Sequence, residues 1–377
     1  MSKRMQNAYA PDYVSPPGET LEELLAAKNM TQTDLAQRMG RPLKTINEII
    51  QGKAAITPET ALQLERVLGA PASFWNNRER NYRESLARHQ ENQQLEDQLG
   101  WLQEVPVREL VKRGWVPRAT SKIEQVRLLL QFFCVASTAQ WHIIYDQPLA
   151  AFRRSEAFPI DSGAVAAWLR RGEILAQELL CAPYEATQLR AVLTDIRTLT
   201  SAPWEEALPE LTRRCATAGV AVVFLAELPR TRVCGATRWL SPHKALIQLS
   251  SRYKTDDHLW FTFFHEVGHI LLHGKREMFL EGWMEDAIKE AEANRFAADA
   301  LIPSSVWARF VRTRDYRSKA VITAFAQELG IAPGIVVGRL QHEELLLHSH
   351  CNDLKRQLLW HVETGVADSP TKAPGTY

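Results

Sequence analysis

The stretch Trp260-Phe-Thr-Phe-Phe-His-Glu-Val-Gly-His-Ile-Leu-Leu-His-Gly274 reads as one helix closed by a glycine. Residues four apart on a helix stand one above the other, so His265 and His269 share a face. Two neutral imidazoles one turn apart can grip a single Zn²⁺ at roughly 2.0–2.1 Å each, with Glu266 about 100° round the helix beside it. This is the His-Glu-x-x-His spacing, in which the glutamate is placed as general base.

Five residues are a short pattern, and the context has to carry weight. Further along comes Glu290-Ala-Glu-Ala-Asn-Arg-Phe-Ala-Ala-Asp-Ala-Leu-Ile-Pro303, a second helical pattern that stops at a proline. Glu290 and Asn294 lie one turn apart, so a carboxylate and an amide can face the first helix together. Glu290 would complete a His₂Glu set with an open fourth position, the catalytic kind of zinc site. Glu292 is the rival ligand; two residues apart on one helix, the two carboxylates cannot both face the metal. The Asn294 partner favours Glu290. Asn294 is either a partner for a histidine Nδ1–H or a helix-surface amide. His273, one more turn along, could extend the same face as a structural group or as a partner behind a metal-bound histidine.

Composition bounds the rest. At 377 residues the chain is long enough for two or three domains. A hydrophobic content of 45% and a charged content of 24% are those of a globular protein with a sizeable core. The net charge of +1 gives no global pull toward nucleic acid or membrane, so such binding has to come from local placement. Cys134, Cys181, Cys215, Cys234 and Cys351 lie far apart with no Cys-x-x-Cys, as expected of reduced thiols in the cytoplasm. The first residues hold no apolar signal region. No run is expected to reach the roughly 18 apolar residues that cross a bilayer, so no membrane partner is expected.

Residues 15–83 break into short amphipathic helices. Leu21, Leu24 and Leu25 mark the first. Thr31 caps the second, with Leu35, Ala36 and Met39 on its apolar face and Gly40 closing it. A third covers about 43–50 and buries Ile46, Ile49 and Ile50. Thr57-Pro58 starts a fourth, an N-cap followed by proline at the first helical position. Helix two, a glycine turn and helix three make a helix-turn-helix. Lys44, Asn47 and Glu48 then face outward, where a recognition helix meets base edges in the major groove. Between 38 and 53, Arg38, Arg41, Lys44 and Lys53 oppose only Glu48. The other reading of this segment is a small helical module for dimerisation or docking.

The segments Pro17-Gly-Glu-Thr-Leu21, Thr31-Gln-Thr-Asp-Leu-Ala36, Ile46-Asn-Glu-Ile-Ile-Gln-Gly-Lys53, Ile56-Thr-Pro-Glu-Thr-Ala-Leu62, Leu68-Gly69 and Phe74-Trp75 resemble the HigA-type antitoxin branch of phage-repressor-like (XRE) DNA-binding domains. The resemblance covers residues 17–82. It implies a five-helix domain, a double-stranded DNA operator, a toxin partner, and DNA contacts from Gln32 to phosphate and from Leu43, Lys44, Asn47 and Glu48 toward bases. Arg41 and Lys53 flank that surface as further contacts. The sequence departs from the family at Pro42, where a hydroxyl cap is usual, and at Leu43, an unusual base reader.

The block 263–274 together with 290–303 resembles the ImmA/IrrE family of zinc metallopeptidases, over residues 219–345. The resemblance implies an α+β zincin-like fold, zinc ligands at His265, His269 and Glu290, a catalytic Glu266, and site-specific cleavage of a repressor protein, in trans or in the chain's own DNA-binding domain.

Between the two lies residues 84–217, read as an α-helical connector or sensor region. Residues 84–102 suit an exposed connecting helix, and amphipathic patterns recur at 107–112, 122–133, 161–180, 185–199 and 205–217. Trp75, Trp101, Trp115, Trp141, Trp168 and Trp204 read as packing anchors. Arg153-Arg154 and Arg170-Arg171 read as solvated or ion-paired surface. Short strands are expected at 219–226, 233–238 and 245–249, the last leading into the zinc helix and offering a sheet edge to an extended peptide. Residues 325–340 repeat a helix-turn-helix rhythm, taken as a helical pair that closes the peptidase domain at 218–350. His342, His348 and His350 read as surface histidines, and 363–377 as a disordered tail.

The expectation is therefore a mainly α multidomain protein: a homodimeric, cytoplasmic, DNA-binding regulator with a Zn²⁺ endopeptidase. The second expectation is an antitoxin or transcription factor whose zinc domain is a sensor or scaffold that cleaves nothing.

Overall fold

The computed structural model describes residues 15–146, 161–252, 254–274, 279–280, 287–313 and 315–358. Arg153-Arg154 and the tail at 363–377 lie outside them. The chain forms two compact units that divide between Leu99 and Gly100. Helix α5 (Ala72–Asp97) runs unbroken through 83.

The first unit holds α1 (Pro17–Ala27), α2 (Gln32–Met39), α3 (Leu43–Ile50), α4 (Pro58–Leu68) and α5. Each boundary has a local cause. Thr31 accepts from the Asp34 amide while Asp34 accepts from the Thr31 amide at 3.0 Å, a reciprocal capping box that satisfies orphan N–H groups of α2. Gly40 ends α2 at φ +64°, the left-handed region that glycine enters freely. Thr57 caps α4 with Pro58 at its first position. Leu21, Leu35, Ile46, Ile49, Leu64 and Trp75 meet in one buried core. Gly18 lets α1 approach α3, since a Cβ there would run into the Ile50 backbone.

The second unit is an α/β/α arrangement around a four-stranded sheet. Its strands are β1 (Val220–Phe224), β2 (Gly235–Ser241), β3 (Lys244–Leu249) and β4 (Phe279–Leu280), in the order β1-β3-β2-β4. β1 runs parallel to β3, with Val220 opposite Ala245. β2 runs antiparallel to β3, and β4 antiparallel to β2. The preceding helices are α6 (Val107–Lys112), α7 (Lys122–Phe133), α8 (Thr138–Trp141), α9 (Ser162–Glu178), α10 (Ala186–Thr198) and α11 (Trp204–Thr217). They belong to the same compact unit as the sheet. The Trp168 indole on α9 donates to the Leu225 carbonyl at 2.9 Å, and Gln248 on β3 donates to the Trp168 carbonyl at 2.8 Å. α9 thus covers one face of the sheet.

Period-two alternation sends Ala245, Ile247 and Leu249 to the other face, into the core with Leu259, Phe263 and Val267 of α12 (Asp256–Leu272). Then follow α13 (Ala287–Leu301), α14 (Ser304–Thr313), α15 (Lys319–Leu329) and α16 (Pro333–His342). α15 and α16 bend by 115° at their junction and pack into the same core through Ile322, Phe325, Val336 and Leu340.

One expectation needs correcting. The helical stretch Lys122–Asp146 is long and apolar enough, by length and composition, to cross a membrane. It is interrupted where Cys134 takes φ +56° and Ser137 caps a new helix. Its Phe133, Trp141 and Tyr145 are buried against one another, and the Tyr145 hydroxyl donates to the Phe133 carbonyl at 3.1 Å. A core helix passes the same composition test.

Candidate metal centre

From Asp256 to Ile270 every residue of α12 except His258 and Phe261 is buried, so the helix is enclosed over most of its surface. Burial of its two leading acids is offset by cations: Asp257 meets the Lys355 ammonium at 2.6 Å and Asp256 the Arg356 guanidinium at 3.1 Å. Burial still holds the Asp256 carboxyl above the usual range, with Arg356 opposing it. α13 lies close along α12 at Gly268, where a Cβ would sit 3.1 Å from the Ala293 Cα. The glycine of His-Glu-Val-Gly-His is therefore what lets the second helix come near enough to offer a carboxylate.

That carboxylate is Glu290. His265 Nε2 and His269 Nε2 are 3.0 Å apart, and the Glu290 oxygens stand 3.4 and 3.3 Å from them. All three side chains offer a donor atom within 4.8 Å of the others. Bonds of ~2.0–2.1 Å at tetrahedral angles separate ligand atoms by about 3.3 Å, so two imidazole nitrogens and a carboxylate oxygen at these spacings fit one zinc ion. Burial pushes the His269 pKa below that of an ordinary imidazole, which keeps the ring neutral and able to ligate at pH 7.

The outer nitrogens are held as well. His265 Nδ1 lies 2.9 Å from Asn294 Oδ1. An amide oxygen only accepts, so Nδ1 carries the proton and Nε2 presents its lone pair to the cluster. His269 Nδ1 lies 3.0 Å from His273 Nδ1, and His273 Nε2 lies 3.2 Å from Glu292 Oε2. The Glu292 carboxylate places the His273 proton on Nε2, leaving Nδ1 to accept from His269. Glu292 therefore sits two steps behind the cluster, and Glu290 is the carboxylate at it. Phe279 of β4 stacks on the His269 ring at 4.1 Å and 18°.

Glu266 is fully buried. Its carboxylate lies against Gly235 of β2, where a Cβ would come within 2.5 Å of Oε1, and its carbonyl accepts from the Thr237 hydroxyl at 3.2 Å. The His273–Glu292 pair, the Phe279 stack and the Gly235 contact were not visible in the sequence. A histidine eight residues after His265, on the same face, was the one signal for the first of them.

In the first unit, α3 turns Ile46 and Ile49 inward and leaves Leu43, Lys44 and Glu48 outward. The Lys44 side chain is 85% exposed, 3.8 Å from Glu48. Gln32 and Asn47 are half-buried, with Gln32 3.3 Å from Glu22. Arg41 is held by Gln63 at 2.6 Å, and Lys53 is exposed just past the helix.

Two family models match the chain: a helix-turn-helix domain over residues 21–75 and an IrrE N-terminal-like peptidase domain over 230–341. The chain joins a helix-turn-helix domain to an IrrE N-terminal-like domain. Its fold is mainly α and multidomain. The helix-turn-helix domain is 34% identical over 61 residues to the uncharacterized HTH-type transcriptional regulator YddM of Escherichia coli K12, a match to 16% of this chain and 65% of that protein. An addiction module antidote protein of the HigA family from Coxiella burnetii is 32% identical, covering 22% of this chain and 89% of that one, with a TM-score of 0.20. The IrrE-like domain contains α12 and α13 with all three donors, together with β2, β3 and Glu266.

Proposed function

We propose that the chain is a cytoplasmic, dimeric transcriptional regulator whose IrrE-like domain is a zinc endopeptidase acting on a repressor protein, in trans or on its own helix-turn-helix domain. The observation that carries this reading is the meeting of two Nε2 lone pairs and one carboxylate from two helices, each imidazole braced from behind. Bound there, a zinc ion supplies Lewis acidity toward a carbonyl and toward water.

The chain's own residues do the remainder. His265, His269 and Glu290 hold the ion. Asn294 and the His273–Glu292 pair fix tautomer and ring orientation. Glu266 takes a proton from water and delivers it to the leaving amine, in a pocket where burial keeps it from bulk solvent. The helix-turn-helix domain binds double-stranded DNA through α3, with Lys44, Asn47, Glu48 and Leu43 toward bases and Gln32, Arg41 and Lys53 toward phosphate. A dimer spaces two such helices one DNA turn apart, because one module buries too little surface to bind tightly.

The test is Glu266→Gln in the full chain, with zinc content, repressor cleavage and operator occupancy read together. Zinc retained with cleavage and derepression lost supports the endopeptidase. Derepression retained would mean the IrrE-like domain is a scaffold or sensor that cuts nothing.

A further inference from the structure

A β-strand has two hydrogen-bonding edges, and one edge of β2 is filled by β3, from Gly235 opposite Leu249 to Ser241 opposite Lys244. The other edge is taken by β4 at two positions, Ala236 opposite Leu280 and Thr237 opposite Phe279. Those two positions stand beside the metal centre. Gly235 lies against the Glu266 carboxylate, and the Thr237 hydroxyl donates to the Glu266 carbonyl at 3.2 Å.

β4 reaches the cluster itself as well as the strand next to it. The Phe279 ring stacks on the His269 ring, with centroids 4.1 Å and planes 18° apart, and lies 5.3 Å from the His273 ring. It is half-buried, with the Lys289 ammonium 5.9 Å from its centroid. Protecting a sheet edge from chance pairing would account for a short strand anywhere along β2. It does not account for an aromatic ring laid flat on an imidazole of the cluster. An extended peptide that reaches the cluster by adding to β2 needs this same edge at these same residues, because β2 has no third side. Peptide and β4 therefore exclude each other at Ala236 and Thr237.

We propose that β4 is an internal pseudosubstrate: Phe279–Leu280 fills the place of an extended substrate segment, which enters by displacing β4 and laying an aromatic residue on His269. A longer segment makes main-chain hydrogen bonds that a two-residue strand cannot, and so wins the edge. The role rests on the endopeptidase reading above, and it adds to that reading both a substrate class, extended segments with an aromatic residue, and a built-in restraint on cleavage.

The experiment titrates two probes into the zinc-loaded full chain by calorimetry. Acetohydroxamate grips the metal alone; N-acetyl-Phe-Leu hydroxamate grips it and extends a strand. Their affinity ratio isolates the edge. Phe279→Pro removes the ring and an amide donor, and should raise the ratio about tenfold over wild type, the worth of roughly one hydrogen bond and one ring contact. Phe279→Ala should raise it less, and serves alone should the proline variant not fold. N-acetyl-Ser-Ser hydroxamate should gain in neither. In wild type saturated with the Phe-Leu probe, amide hydrogen exchange should quicken at Phe279 and Leu280 and stay slow at Ala236 and Thr237. An unchanged ratio in folded variants, or slower exchange at Phe279 and Leu280 on binding, overturns the pseudosubstrate. Equal gain by the Ser-Ser probe overturns the aromatic preference. A wild-type chain that takes up neither zinc nor acetohydroxamate sinks the metalloenzyme reading and the pseudosubstrate with it, whereas zinc and acetohydroxamate bound at an unmoved ratio sinks the pseudosubstrate alone.

Discussion

Helices α3 and α12 both carry the side chains on which a function depends, and they present them in opposite ways. α3 buries its isoleucines and leaves Lys44 and Glu48 to solvent. α12 encloses His265, Glu266 and His269, each at most 1% exposed. An exposed charge costs the fold almost nothing, and a surface pair such as Lys44–Glu48 contributes about 0–1 kcal/mol. A buried polar group is costly unless it is satisfied. Hence every imidazole nitrogen on α12 that faces away from the cluster has a partner, whereas α3 needs none. The difference teaches where to look for coupling: changes on α12 act on stability and function together, and changes on the exposed face of α3 act on binding alone.

The largest expected effect tests whether burial on α12 serves chemistry. Glu266→Gln keeps the size and the enclosure but removes the base, so kcat/KM for peptide cleavage should fall by roughly 10²–10⁴. Zinc content, measured by atomic absorption, should stay at the wild-type level. A variant that loses zinc as well would show Glu266 to be part of the ion's binding set.

Next comes the contrast within α13. Glu290→Ala should weaken zinc affinity by well over 100-fold, and Glu292→Ala by only about 10–100-fold, because the latter acts through His273 and His269. A competition assay with a chelating dye reads both. The reverse order would mean that the carboxylate two steps behind the cluster is the true ligand.

Acid should separate the two helices further. The folded pKa of His269 lies below its unfolded value of about 6.5, so its contribution to stability is present above about pH 6.5 and lost as pH falls through the folded value. In chelator-treated protein, calorimetry should show the transition of the IrrE-like unit moving down as pH is lowered from 6.5. Zinc affinity should fall over the same window, since protonated imidazole cannot ligate. A transition unmoved between pH 7 and pH 5 would break the link between burial and titration.

On α3 the effect is smaller and confined to DNA. Lys44→Ala should weaken operator binding about tenfold and relax the preference at the base it faces. Stability should change by less than about 0.5 kcal/mol, as for other exposed positions. A clear loss of melting temperature would place Lys44 in the fold rather than at an interface.

What could be read ahead of the structure follows the same division. The helix-turn-helix was legible because its signals are local: Thr31, Gly40 and Thr57-Pro58 mark ends, and the spacing of Ile46 and Ile49 marks a face. The His-Glu-x-x-His pair was legible for the same reason, both rings lying on one helix. The identity of the carboxylate leaned on Asn294 one turn away, and the structure brings that amide to His265. β4 was missed because two residues carry no periodicity, although Phe279 then stacks on a candidate ligand. Amphipathic patterns located α9, α10 and α11 to within a few residues. They could not say that α9 backs the sheet, because periodicity names the apolar face and not what covers it. Gly235 gave no signal either, since a close approach depends on which side chain arrives from elsewhere in the chain.

The smallest effect concerns Pro42, the N-cap of α3, which has no side-chain cap bond, unlike Thr31 before α2. Pro42→Ser offers an oxygen to the orphan amides of the first turn, a gain of about 0.5–1 kcal/mol. It also frees a residue whose φ of −61° already suits the native turn, and that loosening of the unfolded chain costs about 0.4–1 kcal/mol. The two terms nearly cancel, so the melting temperature should move by no more than a degree or two, and operator affinity should hold. A destabilisation well beyond 1 kcal/mol would mean that the proline is packed for a purpose. A loss of DNA binding at unchanged stability would mean that the rigid entry into α3 aims Leu43 and Lys44. Because α3 contributes through exposure, this is the one position on it where the backbone itself, and not a side chain, could carry the specificity.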